Sequence, residues 1–179
     1  MMTDKDGNVL FYGASSRLTH GECFNRPSSG RIHVYKMRKD AFVCLKTEKS
    51  GEYSSAATRE RIWHGGELHV NLKAKSATAA VYETTDTENV GGNLLGIAKP
   101  LAGYSHDDCN PFSGDSADWV PTFKNGKNLN DLAGKTIVLE ISFLDGELYS
   151  LRGNFTPVFN TQAARYRRFG LVPDGEHIF

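Results

Sequence analysis

Residues 136–152, TIVLEISFLDGELYSLR, decide the class of fold. Ile137, Leu139, Ile141 and Phe143 recur at every second position, the period of a strand with one face in a core and not that of a helix. After Leu144 the pair Asp145-Gly146 supplies the backbone angles of a two-residue turn, and 147–152 resumes as a second strand. The segment reads as a β-hairpin.

The same period recurs upstream. In residues 67–74, ELHVNLKA, Leu68, Val70, Leu72 and Ala74 alternate with Glu67, His69, Asn71 and Lys73, which describes a half-buried strand with one polar face. Further strands are expected at 9–12, 31–37, 41–45, 58–63, 78–83 and 119–123, separated by Gly, Asn, Asp and Ser clusters such as His64-Gly-Gly66 and Asn125-Gly126. Only 162–168 has a short helical pattern. Many short strands with frequent turns predict an all-β fold, an antiparallel β-sandwich of jelly-roll or concanavalin-like kind, and argue against an α/β scaffold. Residues 13–30 and 88–100 read as long connections.

Composition bounds the partners. The 179 residues carry 21 basic and 21 acidic side chains, so no net charge favours nucleic acid or an anionic membrane, and neither is expected as a partner. The polar, acidic opening lacks the order of a signal peptide, and no apolar run reaches membrane-spanning length. A soluble chain is expected. Cys23, Cys44 and Cys109 include no C-x-x-C pair, which leaves one bridge plus a free thiol or three buried thiols open.

The densest chemistry lies at 103–119, GYSHDDCNPFSGDSADW. Asp107, Asp108, Asn110 and Asp115 are hard oxygen ligands of the kind Ca2+ takes, although without the ligand spacing of an EF-hand. The same residues serve equally as acceptors for backbone amides in consecutive turns, with Cys109 and Phe112 inward, Pro111 fixing the bend and Gly114 a strained angle. A glycosidase pair needs two carboxylates roughly 5 to 10 Å apart. Asp107 and Asp108, being neighbours, point to opposite faces of extended chain, and Asp108 meets Asp115 or Asp118 only if the loop folds back. No catalytic residue is expected. Ser15-Ser16 and Ser28-Ser29 lack a nucleophile-elbow setting, and Gly91-Gly92 lacks the Lys-Ser/Thr of a P-loop. His33 and His69 are either a cross-strand metal pair or solvated side chains.

The ordered set 65–71, GGELHVN, then 103–115, GYSHDDCNPFSGD, then 131–135, DLAGK, then 148–151, LYSL, resembles the C-terminal β-sandwich domain that follows a five-bladed β-propeller in proteins similar to the invertase and levansucrase glycoside hydrolases. The resemblance covers residues 40–155. Residues 10–14 and 31–45 are similar to the closing strands of such a propeller. The resemblance implies a propeller-derived strand and loop at 1–30 and a sandwich at 31–160, and the tail at 161–179 reads as an extension without counterpart in the family. Because the family's catalytic carboxylates lie in propeller blades, it implies an accessory module with no catalysis of its own, extracellular or periplasmic if it serves polysaccharide breakdown.

Sugar recognition needs an aromatic face for the apolar side of a pyranose and nearby polar groups for its hydroxyls. Trp63, His64, Tyr104, His106 and Trp119 are the candidates, with a core role as the alternative for each aromatic. Three functions are therefore weighed: a carbohydrate-binding or accessory module taking a polysaccharide or oligosaccharide, a structural domain that braces a propeller or associates with itself, and a small glycosidase. The second predicts an apolar patch near Phe11, Tyr12, Val34 and Tyr35.

Overall fold

A computed structural model describes residues 2–16, 30–83 and 99–157. The expected connections within 17–29 and 84–98, together with the 162–168 helix, Cys23 and Ser28-Ser29, lie outside the described residues. The chain forms two compact units, Met1–Val43 and Cys44–Phe179. Residues 31–37 fall in the first unit, where they pair with residues 9–16.

In the first unit β1 (Met2–Thr3), β2 (Val9–Ser16) and β3 (Gly30–Met37) form one antiparallel sheet in that order. Tyr12 faces Val34 and Ala14 faces Ile32 across the ladder, so these four share one face. That face is open: Ile32 is 78% exposed and Tyr12 and Val34 more than half.

The second unit contains β4 (Leu45–Lys46), β5 (Tyr53–Ala57), β6 (Arg61–Trp63), β7 (His69–Glu83), β8 (Phe112–Trp119), β9 (Thr136–Leu144), β10 (Glu147–Arg152) and β11 (Phe155–Pro157), all antiparallel in one sheet. The all-β antiparallel fold expected from the sequence is present. The hairpin at 136–152 is not. Leu144 pairs with Ser76 and Glu147 with Lys73, so β9 and β10 run in the same direction along one edge of β7. Asp145-Gly146 is a kink within that line. Asp145 takes a positive φ of 45°, and a Cβ on Gly146 would lie 2.7 Å from both the Cβ of Ala74 and the carbonyl of Lys73. The backbone presses onto β7 there because a fifteen-residue partner strand offers a continuous edge, which outweighs the local turn preference of Asp-Gly.

The loop between β4 and β5 locks the kink. Gly51 N–H donates to Asp145 Oδ1 at 2.8 Å, Gly146 N–H donates to Thr47 Oγ1 at 2.9 Å, and Thr47 N–H donates back to the Gly146 carbonyl at 3.0 Å. On the far side of β9, β6 pairs both with β9 and with β11, the strand that follows β10 after two residues. Residues 136–157 therefore begin and end against the same short strand, and the sheet curls back on itself. Side chains from β7 and the residue before it, from β9 and from β10 meet in one core: Leu68, Val70 and Leu72, then Ala77, Ala79 and Val81, then Ile137, Leu139, Ile141 and Phe143, with Leu148.

Strand β7 unites two segments that the sequence suggested as separate. Its inward positions change parity between Ala74 and Ala77, where a bulge absorbs one residue and lets the strand bend without breaking. Strand β8 carries no strand pattern in its sequence, FSGDSADW. Edge position explains it: β8 pairs with β7 alone among the described strands, and a strand with one open edge tolerates Ser, Asp and Gly.

Candidate functional site

The five sequence-predicted sugar contacts do not form one surface. Trp63 is 0% exposed, its ring stacked on Phe155 at 6.2 Å and closed from another side by Gly153, so neither face is open to a pyranose. Tyr104 is also interior, edge-on to Phe123 at 5.0 Å, with its hydroxyl donating to the Asn128 carbonyl at 3.1 Å. Burial, then the charge of Asp131, pushes its phenol pKa up. Trp119 lies half-buried, stacked on Phe112 at 5.1 Å and packed against the core. His64 is exposed, 2.7 Å from Thr156 Oγ1, and His106 turns onto β7 and β9.

The expected calcium ligands are likewise dispersed. Asp108 accepts from the amide of Ser105 at 3.1 Å and from its hydroxyl at 2.6 Å, which holds its carboxyl below the usual range. Asp107 is exposed and its carbonyl receives Lys124 Nζ, Asn110 donates to Thr122 Oγ1, and Asp115 stands in β8 opposite Lys73. Among the described residues no group of three or more His, Cys, Asp or Glu is arranged to hold a metal ion. The physical reason is that residues 108–110 are drawn toward 122–124 by backbone bonds of 2.8 Å while 112–119 leave along β7. His33 and His69 belong to different units, His33 lying 2.8 Å from Ser15 Oγ.

What the fold does gather is a polar sheet face on β10, β7 and β8. Lys46 pairs with Glu147, Glu147 with Lys73, and Lys73 with Asp115, giving a row of alternating charge across four strands. The Lys46 ammonium lies 3.4 Å from the Glu147 carboxylate, and the Tyr149 hydroxyl donates to it at 2.5 Å. These contacts, Tyr149 first, hold the Glu147 carboxyl below its usual range. The row leads into an open groove of about 610 Å³ at the sheet kink, lined by Lys46, Thr47, Ser50, Lys73, Asp145 and Glu147 among others.

At the other end of β7, Arg152 pairs with His69 across the ladder. The Arg152 guanidinium donates to the Ala117 carbonyl at 3.0 Å and contacts the Asp118 carboxylate, which also lies 3.8 Å from His69 Nδ1. Glu67 flanks the imidazole at 3.7 Å. Ammonium, carboxylate, imidazole and guanidinium groups are thus fixed at strand spacing on one face. The alternation of 67–74 already placed Glu67, His69 and Lys73 on a polar side. Their partners from β8 and β10 depend on register, which the sequence does not display.

A second polar cluster lies on the outer side of β9. The Glu140 carboxylate is nearly buried, accepts from the Tyr82 hydroxyl at 2.7 Å and meets His106 Nε2 at 3.2 Å. His106 Nδ1 lies 2.9 Å from Thr78 Oγ1. Burial, then the hydrogen bond and charge of Glu140, pushes the Tyr82 phenol up to about 12.

A scan against protein-family models, a search of curated proteins and a search of solved structures found no significant match to this chain. No helix among the described residues is long and apolar enough to cross a membrane.

Proposed function

We propose that the chain is a non-catalytic accessory module of a glycoside-hydrolase-like protein that engages polysaccharide through the polar face of β10, β7 and β8. The observation that carries this reading is the row Lys46, Glu147, Lys73 and Asp115, continued by His69, Asp118 and Arg152. A rigid sheet holds these donors and acceptors at fixed spacing, which suits directed hydrogen bonds to the hydroxyls of an extended polymer. The groove beside the row has the volume of a site for a sugar or two. Such contacts, each exchanged against water, predict weak binding and a preference for polymer over monosaccharide. The test is retardation of the purified chain in gels containing members of a polysaccharide panel; movement unaffected by every polymer overturns the reading.

A second reading is favoured by one separate feature. The sheet of β1, β2 and β3 leaves Tyr12, Ile32 and Val34 open on one face, beyond what a small sheet ordinarily exposes. In a propeller-bracing module that face packs against a further sheet. Tyr12→Ser with Val34→Ser distinguishes the two readings, since it abolishes association with a propeller partner or a second copy and leaves polysaccharide binding intact.

A further inference from the structure

Two strands and one connection converge on Glu140 of β9 from the side of the sheet opposite the core. Tyr82 and Thr78 come from β7, Ser55 from β5 and His106 from the connection before β8. With Nε2–H donated to the carboxylate, Nδ1 of a neutral imidazole accepts from the Thr78 hydroxyl; in the imidazolium, Nδ1–H donates to the same oxygen. His106 thus keeps both partners in either protonation state. The contact fails only when the carboxylate loses its charge.

We propose that the His106 to Glu140 contact is an acid-released clasp that holds the turn at His106 to the outer side of the sheet, while Tyr104 and Cys109 on either side of it enter the main core. The proposal is independent of what the chain binds. Facing His106 are the Glu140 carboxylate from β9 and the Tyr82 phenol and Thr78 hydroxyl from β7. Within its own connection Asp107 is exposed, with Lys124 on its carbonyl, and the Asp108 carboxylate is taken by Ser105. Glu140 is therefore the counter-charge of the imidazolium. Once it takes a proton, a positive ring is left against a neutral acid, and the imidazolium is better solvated by turning outward.

The pH of release follows from the same geometry. Burial works to raise the Glu140 pKa, but the hydrogen bonds from Tyr82, His106 and Ser55 outweigh it and hold the carboxyl below its usual range. A group lowered in the folded state stabilises it above its unfolded pKa and loses that contribution as pH falls through the folded one. The clasp is closed at neutral pH and opens below the ordinary glutamate range.

The test is amide hydrogen exchange of the full chain, read as protection factors at Leu101 and Val81. These amides donate to the Val81 and Tyr104 carbonyls at 2.8 and 2.9 Å where the connection lies along β7. Protection in the wild type is expected to fall roughly tenfold or more on acidification, the scale of one charge-assisted hydrogen bond, while amides between β5 and β9 hold. Glu140→Gln is expected to show the lower protection at every pH. Should that variant not fold, His106→Gln decides: it keeps a donor, removes the charge and is expected to flatten the acid step. Wild-type protection that ignores pH, or an acid step of equal size in the folded variants, overturns the proposal.

Discussion

The Tyr82 hydroxyl donates to Glu140 Oε2 at 2.7 Å, joining β7 to β9 on the side of the sheet away from the main core. Its removal leaves a nearly buried carboxylate short of a donor. Tyr82→Phe is expected to cost about 1.5 to 3 kcal/mol, read from denaturant unfolding. In the wild type one tyrosine should ionise only near pH 12 in an absorbance titration, and that late step should vanish in Tyr82→Phe.

In the first unit Asp4 accepts from the Lys36 ammonium at 2.7 Å and from the amides of Asp6 and Asn8 at 2.9 Å each. Lys36 first, with the amides adding to it, lowers the Asp4 carboxyl to about 2. Because the folded value lies below the unfolded one, this contribution is present above the ordinary aspartate range and is lost as pH falls toward about 2. Carboxyl resonances of Asp4 should titrate there. Lys36→Ala should move the midpoint upward; an unmoved midpoint would show that the ammonium is not the cause.

Gly146 marks the place where a local signal yields to long-range pairing. An added Cβ meets Ala74 and the Lys73 carbonyl at 2.7 Å, with no flexible side chain to give way. Gly146→Ala is expected to destabilise by about 1 to 3 kcal/mol, as overpacking does. In a free hairpin turn the same substitution would scarcely change unfolding beyond the preference of its φ, so a near-neutral result argues for the hairpin.

The 103–119 stretch is held by hydrogen bonds within itself and to residues 122–124. Asp108 is satisfied by Ser105, Asn110 by Thr122, and the Lys124 amide by the Asp108 carbonyl at 2.8 Å. Exhaustive chelation followed by added calcium should leave the Tm unchanged. A rise on adding calcium would mean that an ion draws Asp115 back toward Asp107 and Asp108.

The legible parts of the sequence were those where one side of a strand is buried without interruption. Leu68 through Ala74, and Ile137 through Phe143, enter the core in the phase their alternation gives. Tyr53 to Ala57 gave no such signal, since Tyr-Ser-Ser-Ala-Ala is drawn into the sheet by pairing with β9. Phe112 to Trp119 was hidden by the polar residues an edge strand permits. Asp145-Gly146 misled because the local turn preference is real and the competing edge of β7 lies some seventy residues earlier in the chain. The polar face had the same cause: His69 and Lys73 were visible on one side of their strand, whereas Asp115, Glu147 and Arg152 reach them only through register. Trp63, prominent as an aromatic beside His64, is the most enclosed of the candidates because the sheet closes over it through β11.

The measurement that bears most directly on the proposed function is affinity electrophoresis of the wild type, Lys73→Ala and Arg152→Ala through gels containing single polysaccharides, with circular dichroism confirming the fold of each. One polymer class should retard the wild type, and both variants should run closer to their position in the blank gel. A folded wild type that no polymer retards, or variants retarded as strongly as the wild type, would contradict a binding face on β10, β7 and β8.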